Sequence, residues 1–141
     1  MPGAIRPLNV EQLLERARAL LVRVEAEHAA EEMAAGALLV DIRPADQRAA
    51  QGEIPGSTVI DRSVLEWRLD PASPWHVASV GDHDERIILI CAQGFQSSLA
   101  AANLQEMGLV NATDVIGGFE AWAAAGLPTQ PADSGNTQTG H

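Results

Sequence analysis

Apolar positions along this chain repeat at two spacings, and each spacing predicts a kind of element. Val10, Leu13, Leu14, Ala17 and Leu21 share one face of a helix starting at Asn9, an N-cap residue with Gln12 placed to complete a capping box. A short strand is expected at Val22 to Val24, then a helix over Ala26 to Ala35 stopped by Gly36. Ala37 to Ile42 is a strand interrupted only by Asp41, and Pro44 opens a helix that closes at Gly52. Ile54-Pro55-Gly56 marks a turn, Thr58 to Ile60 a strand, and Val64 to Leu69 a helical turn. Asp70 to Asp84 reads as loop. Ile87 to Ile90 is a continuous apolar run of the kind buried on both faces of a sheet. A helix over Ser97 to Met107, a strand over Thr113 to Ile116 and a helix over Phe119 to Ala125 complete the pattern. Strands alternating with helices in this way predict a parallel sheet covered on both faces.

Composition narrows the function. With 141 residues, 46% hydrophobic and 20% charged, the chain can bury a core without cross-links. Its formal charge of −10 argues against nucleic acid and against an anionic membrane surface as partners. One cysteine, Cys91, excludes an intrachain disulfide and a cysteine zinc cluster, and no other residues stand at metal-ligand spacing. The charged N-terminal stretch does not read as a signal peptide, and no apolar run approaches bilayer length, so a reducing cytoplasm is the expected compartment. After Pro128 the chain turns rich in Pro, Ser, Gly, Thr and Asn and reads as a flexible tail.

In an open parallel sheet, ligands sit beyond the C-terminal ends of the strands. Asp41 and Cys91 both stand where a strand ends. After Cys91 come Ala92, Gln93, Gly94, Phe95, Gln96 and Ser97, a glycine-centred loop leading into a helix. Such a loop can turn successive N–H groups into one cavity, and the helix N-terminus adds positive potential. A thiolate, a persulfide or a small anion is stabilised there. Against this stands the simpler role of a buried apolar thiol, which the strand–loop–helix context disfavours.

These segments resemble, in order, those of the rhodanese-like family. Leu39-Val40-Asp41-Ile42-Arg43 is similar to its strand ending in Asp-x-Arg. Gly52-Glu53-Ile54-Pro55-Gly56-Ser57 is similar to its Gly-His-Ile-Pro-Gly-Ala turn, and Cys91 to Ser97 to its Cys-x-x-Gly-x-Arg-Ser loop. Gly117-Gly118-Phe119-Glu120-Ala121-Trp122 is similar to its closing Gly-Gly-x-x-x-Trp. The resemblance divides the chain into a helical extension (1–21), the domain (22–128) and the tail (129–141). It implies a five-stranded, mainly parallel sheet flanked by helices on both faces.

It also implies a sulfurtransferase without cofactor or metal. Cys91 would be the nucleophile and the backbone from Ala92 to Ser97 its cradle, while Asp41 and Arg43 would support the loop as a charge pair. Sulfur would pass as a persulfide from thiosulfate, or another sulfane-sulfur donor, to cyanide, a thiol or a protein acceptor. Two residues depart from the pattern. Gln96 stands where the family has Arg, which removes a charged bidentate donor, and Glu53 replaces the turn's His. Related phosphatases use a loop one residue longer and keep the Arg, which this loop does not match. Arg62 and Arg68 are candidates to replace the missing cation, although pairing with Asp61, Glu66 or Asp70 is the favoured role. Trp67 and Phe95 are candidate pocket walls, with a core position favoured for Trp67. The alternative to an enzyme is a weakly active or inactive member that binds a partner or senses oxidation through Cys91.

Overall fold

The computed structural model describes residues 6–132. Helix α1 (Val10–Arg18) begins with the expected capping box: Gln12 N–H donates to Asn9 Oδ1 at 2.8 Å and Asn9 N–H to Gln12 Oε1 at 3.0 Å. Then follow α2 (Ala26–Ala34), β1 (Leu38–Asp41), α3 (Ala45–Gln51), β2 (Thr58–Val59), a 3-10 turn (Arg62–Val64) and α4 (Leu65–Leu69). The chain continues through β3 (Ile87–Ile90), α5 (Gln96–Glu106), β4 (Ala112–Asp114) and α6 (Gly118–Ala124). The strands lie in the order β2-β1-β3-β4, and every pair is parallel. No helix among the described residues is long and apolar enough to cross a membrane.

The sheet has four strands, not five. The expected strand at Val22 to Val24 is reduced to a single parallel bridge, between Val24 and Val115. Val22 is 81% exposed beside it. Arg23 turns inward to the carboxylate of Asp114, and the Val22 carbonyl accepts from the Thr113 hydroxyl at 2.9 Å, so the segment lies beside β4 without extending into a strand ladder.

Alternation along the strands sorts side chains into two cores. Ile87, Leu89 and Cys91 face α4 and α5, with Val40, Leu65, Leu69, Ala100 and Leu104. Ile88 and Ile90 face α2 and α6, with Leu39, Ala29, Phe119 and Trp122. All four side chains of β3 are fully buried, each contributing roughly 1.5–3 kcal/mol relative to exposure. Trp122, also fully buried, donates from its indole N–H to the Pro128 carbonyl at 2.8 Å. Just beyond, Gln130 pairs with Glu53 through two backbone hydrogen bonds of 2.7 and 2.8 Å. Residues 1–5 of the extension and 133–141 of the tail lie outside the described residues.

At the end of β1 the side chains of Asp41 and Arg43 form a fully buried ion pair, Nη2 to Oδ2 at 2.7 Å. Arg43 also donates to Gln51 Oε1 at 3.0 Å and to the Gly52 carbonyl at 2.8 Å, and stacks 4.0 Å from the centre of the Phe119 ring. One guanidinium thus joins the sheet, the end of α3 and α6. Asp41→Ala leaves that guanidinium buried without its counter-charge. Urea unfolding should show a loss of about 3–5 kcal/mol, whereas a loss below ~1 kcal/mol would mean that the pair is replaced by water.

Candidate active site

Cys91 follows directly on β3 and is 6% exposed. Its sulfur accepts from the backbone N–H of Gly94 at 3.2 Å and of Ser97 at 3.3 Å. The Ser97 hydroxyl donates to Asp114 Oδ2 at 2.7 Å. With its proton so committed, the Ser97 oxygen turns a lone pair to the Cys91 thiol, which donates to it at 3.2 Å. Ser98 donates to the same Asp114 oxygen at 2.8 Å. Asp114 is completely buried, and its charge is met by Arg23, Nε to Oδ1 at 2.8 Å.

The loop's carbonyls are held away from the sulfur. At the start of α6, Phe119 N–H binds the Cys91 carbonyl at 2.7 Å and Glu120 N–H binds the Ala92 carbonyl at 3.1 Å. The Gly94 carbonyl accepts from Arg18 Nη2 at 2.7 Å and Arg23 Nη2 at 3.1 Å. In a trans peptide the N–H lies opposite its carbonyl. Anchoring these three oxygens outside therefore turns the N–H groups of Ala92, Gln93 and Phe95 to the opposite edge of the loop.

Two glycines permit the close approach. A Cβ on Gly118 would run into the Cys91 carbonyl oxygen and lie 2.8 Å from Gln93 N. One on Gly94 would lie 2.8 Å from Gly117 N. Both have positive φ, 60° and 88°, the region in which a side chain is strained.

A cleft of about 290 Å³ opens over the thiol, lined by Ile42, Arg43, Pro44 and Gln47 on one side and by Cys91, Ala92, Gln93, Phe95 and Gln96 on the other. Phe95 stands 55% exposed at the loop crest. The expected support from Asp41 and Arg43 takes a different form. Asp41 pairs in register with Ile90, on the sheet face opposite Cys91. The hydrogen bonds of the pair run to α3 and the following turn, while Arg43 reaches the cleft as a wall.

Arg62, Trp67 and Arg68 do not line this cleft. Arg62 pairs with Glu66 at 2.9 Å, and Arg68 donates to the Trp75 carbonyl at 3.0 Å. Burial opposes ionisation of Glu66, yet hydrogen bonds from Asn103 and Arg62 hold its carboxyl below the usual range. Trp67 is 58% exposed rather than in the core, because the inward positions of its short helix belong to Leu65 and Leu69.

The residues that sequence reasoning missed are Arg18, Arg23 and Asp114. Asp114 carried the same signal as Asp41, a carboxylate in a strand run. Arg18 and Arg23 lie more than seventy positions from the loop they reach, and local pattern cannot connect them.

The sequence model of the rhodanese-like domain matches residues 25–125. The chain belongs to that family. It is 34% identical over 107 residues to the thiosulfate sulfurtransferase GlpE of Haemophilus influenzae, covering 75% of this chain and 91% of that one. It is 47% identical over 51 residues to GlpE of Actinobacillus succinogenes, covering 36% of this chain and 46% of that one. Among solved structures, a protein of unknown function from Rhodopseudomonas palustris, described as a possible tyrosine phosphatase, superposes with a TM-score of 0.79. It is 32% identical, and the match covers 92% of this chain and 99% of that one.

Gly118→Ala should push the Cys91–Gln93 backbone out of place. Sulfurtransfer is expected to fall at least about tenfold, with a stability loss of about 1–3 kcal/mol from backbone strain. Full activity in this variant would mean that the close packing of loop and α6 is dispensable.

Proposed function

We propose that Cys91 carries sulfur as a persulfide between thiosulfate and a thiophilic acceptor. The thiolate attacks the outer sulfur of thiosulfate. A new S–S bond forms, the old one breaks, and sulfite leaves with the bonding electron pair. Cyanide then takes the outer sulfur as thiocyanate and the thiolate returns, so the cycle needs no cofactor and no net oxidant. A thiol acceptor would instead leave as a persulfide. There is no second cysteine in the chain to discharge the sulfur, so the acceptor comes from outside, as a small molecule or a protein. A reactive free thiol of this kind suits the reducing cytoplasm.

The observation that carries this reading is the pair of backbone N–H groups already on the Cys91 sulfur, from Gly94 and Ser97. Preorganised donors of this kind stabilise a sulfur anion without reorganising during the reaction. The open cleft beside them admits a donor of thiosulfate's size. A phosphatase reading has less support. With Gln96 in the loop, no guanidinium stands at the position where related phosphatases clamp phosphate.

The test is thiosulfate:cyanide sulfurtransfer, together with intact mass after thiosulfate alone. Wild type should release thiocyanate and gain one sulfur atom, and Cys91→Ser should do neither. A folded wild type that gains no sulfur and makes no thiocyanate would contradict the reading and favour a binding or oxidation-sensing role for the thiol. Hydrolysis of p-nitrophenyl phosphate without sulfur uptake would favour the phosphatase.

A further inference from the structure

The loop lacks its own cation, yet two arginines stand directly behind it. Arg18, in the last turn of α1, donates to the Gly94 carbonyl at 2.7 Å and to Ser98 Oγ at 3.0 Å. Arg23, between α1 and α2, donates to the same carbonyl at 3.1 Å and to both oxygens of Asp114 at 2.8 and 3.2 Å. The cluster holds two guanidinium groups against one carboxylate, a surplus of one positive charge. Arg23 is the counter-ion of Asp114, so the surplus belongs to Arg18, whose polar contacts are a carbonyl and a hydroxyl. Arg18 also lies 5.7 Å from the centre of the Phe95 ring, the residue at the crest of the loop.

Taking the sulfurtransferase reading as given, we propose that Arg18 and Arg23 are the positioning cations of this cradle and do from behind what a loop arginine does from within. They act through the Gly94–Phe95 peptide. Pulling its carbonyl outward fixes its N–H on the other edge, and a carbonyl bound to a cation makes its own N–H a stronger donor. The unit charge of Arg18 also lowers the cost of bringing a dianionic donor to a protein whose net charge is −10. The segment ahead of α2 is accordingly part of the site, and α1 is there to deliver Arg18.

The experiment measures kcat and KM for thiosulfate in wild type, Arg18→Gln, Arg18→Lys and the double variant Arg18→Gln/Gln96→Arg. Melting curves check the fold, and the mass of the sulfur-loaded wild type is recorded in parallel. Arg18 is half-buried and Asp114 keeps its partner in all four proteins, so each should fold. Arg18→Gln should lose at least about tenfold in kcat/KM, mostly through KM, the scale of one charged hydrogen bond. Lys at position 18, or Arg at position 96, should recover the larger part, because each restores a positive charge from one side of the loop. Wild-type kinetics in Arg18→Gln would overturn the assignment while sulfur uptake by wild type leaves the sulfurtransferase reading standing. A loss that neither replacement recovers would mean a purely structural contact and would also overturn it. No sulfur uptake by wild type would remove the reading and the assignment together.

Discussion

The N–H groups of Gly94 and Ser97 hold the Cys91 sulfur, and the seven-residue loop that presents them is kept in shape by three carbonyl oxygens anchored outside it. The rest of the site depends on where they go. Those of Cys91 and Ala92 are received by the first N–H groups of α6, and that of Gly94 by Arg18 and Arg23. The fully buried β3 fixes one end of the loop and α5 the other. Gly118 lets α6 come close enough to make its bonds. A loop with the same residues but without these anchors would be free to turn its carbonyls toward the thiol, and an anionic sulfur would then be repelled rather than held.

Charge is managed locally in a protein that is acidic overall. At physiological ionic strength the screening length is about 8 Å, so the distant carboxylates that dominate the net charge act weakly at the cleft. The groups within reach count for more, and they are arranged in two separate units. Asp41 and Arg43 neutralise each other on the α6 side of the sheet and tie three elements together. Asp114, Arg23 and Arg18 stand behind the loop on the other side of β3 and leave a positive remainder. A buried ion pair is weak evidence for stability by itself; here the Asp41–Arg43 pair ties β1 to the end of α3, and the Asp114–Arg23 pair holds the Gly94 carbonyl of the loop.

Much of this was legible in the residues. The apolar run of β3, the capping box at Asn9 and the placement of Cys91 at a strand end followed from local pattern, and the alternation of strands and helices predicted the parallel sheet. The fifth strand expected at Val22 to Val24 is only a single bridge at Val24, and the tie beside it, from Arg23 to Asp114 ninety-one positions away, leaves no local pattern. The roles weighed for Arg62 and Trp67 depend on which way a short helix rotates, which Leu65 and Leu69 decide by burial. The Asp41–Arg43 pair was recognised as a pair, but its direction was not: strand alternation puts Asp41 on the face opposite Cys91. Long-range hydrogen bonds from arginine leave no periodic trace in a sequence. That is why the cations behind the loop appear only in three dimensions.

A crystal structure of the protein after brief exposure to thiosulfate without acceptor shows whether the loop holds the transferred sulfur. One additional sulfur is expected on Cys91 Sγ, within hydrogen-bonding distance of N–H groups of the 92–97 loop, with the Gly94 carbonyl still on Arg18. An additional sulfur pointing away from those N–H groups, or a loop whose carbonyls have turned inward, would contradict this expectation.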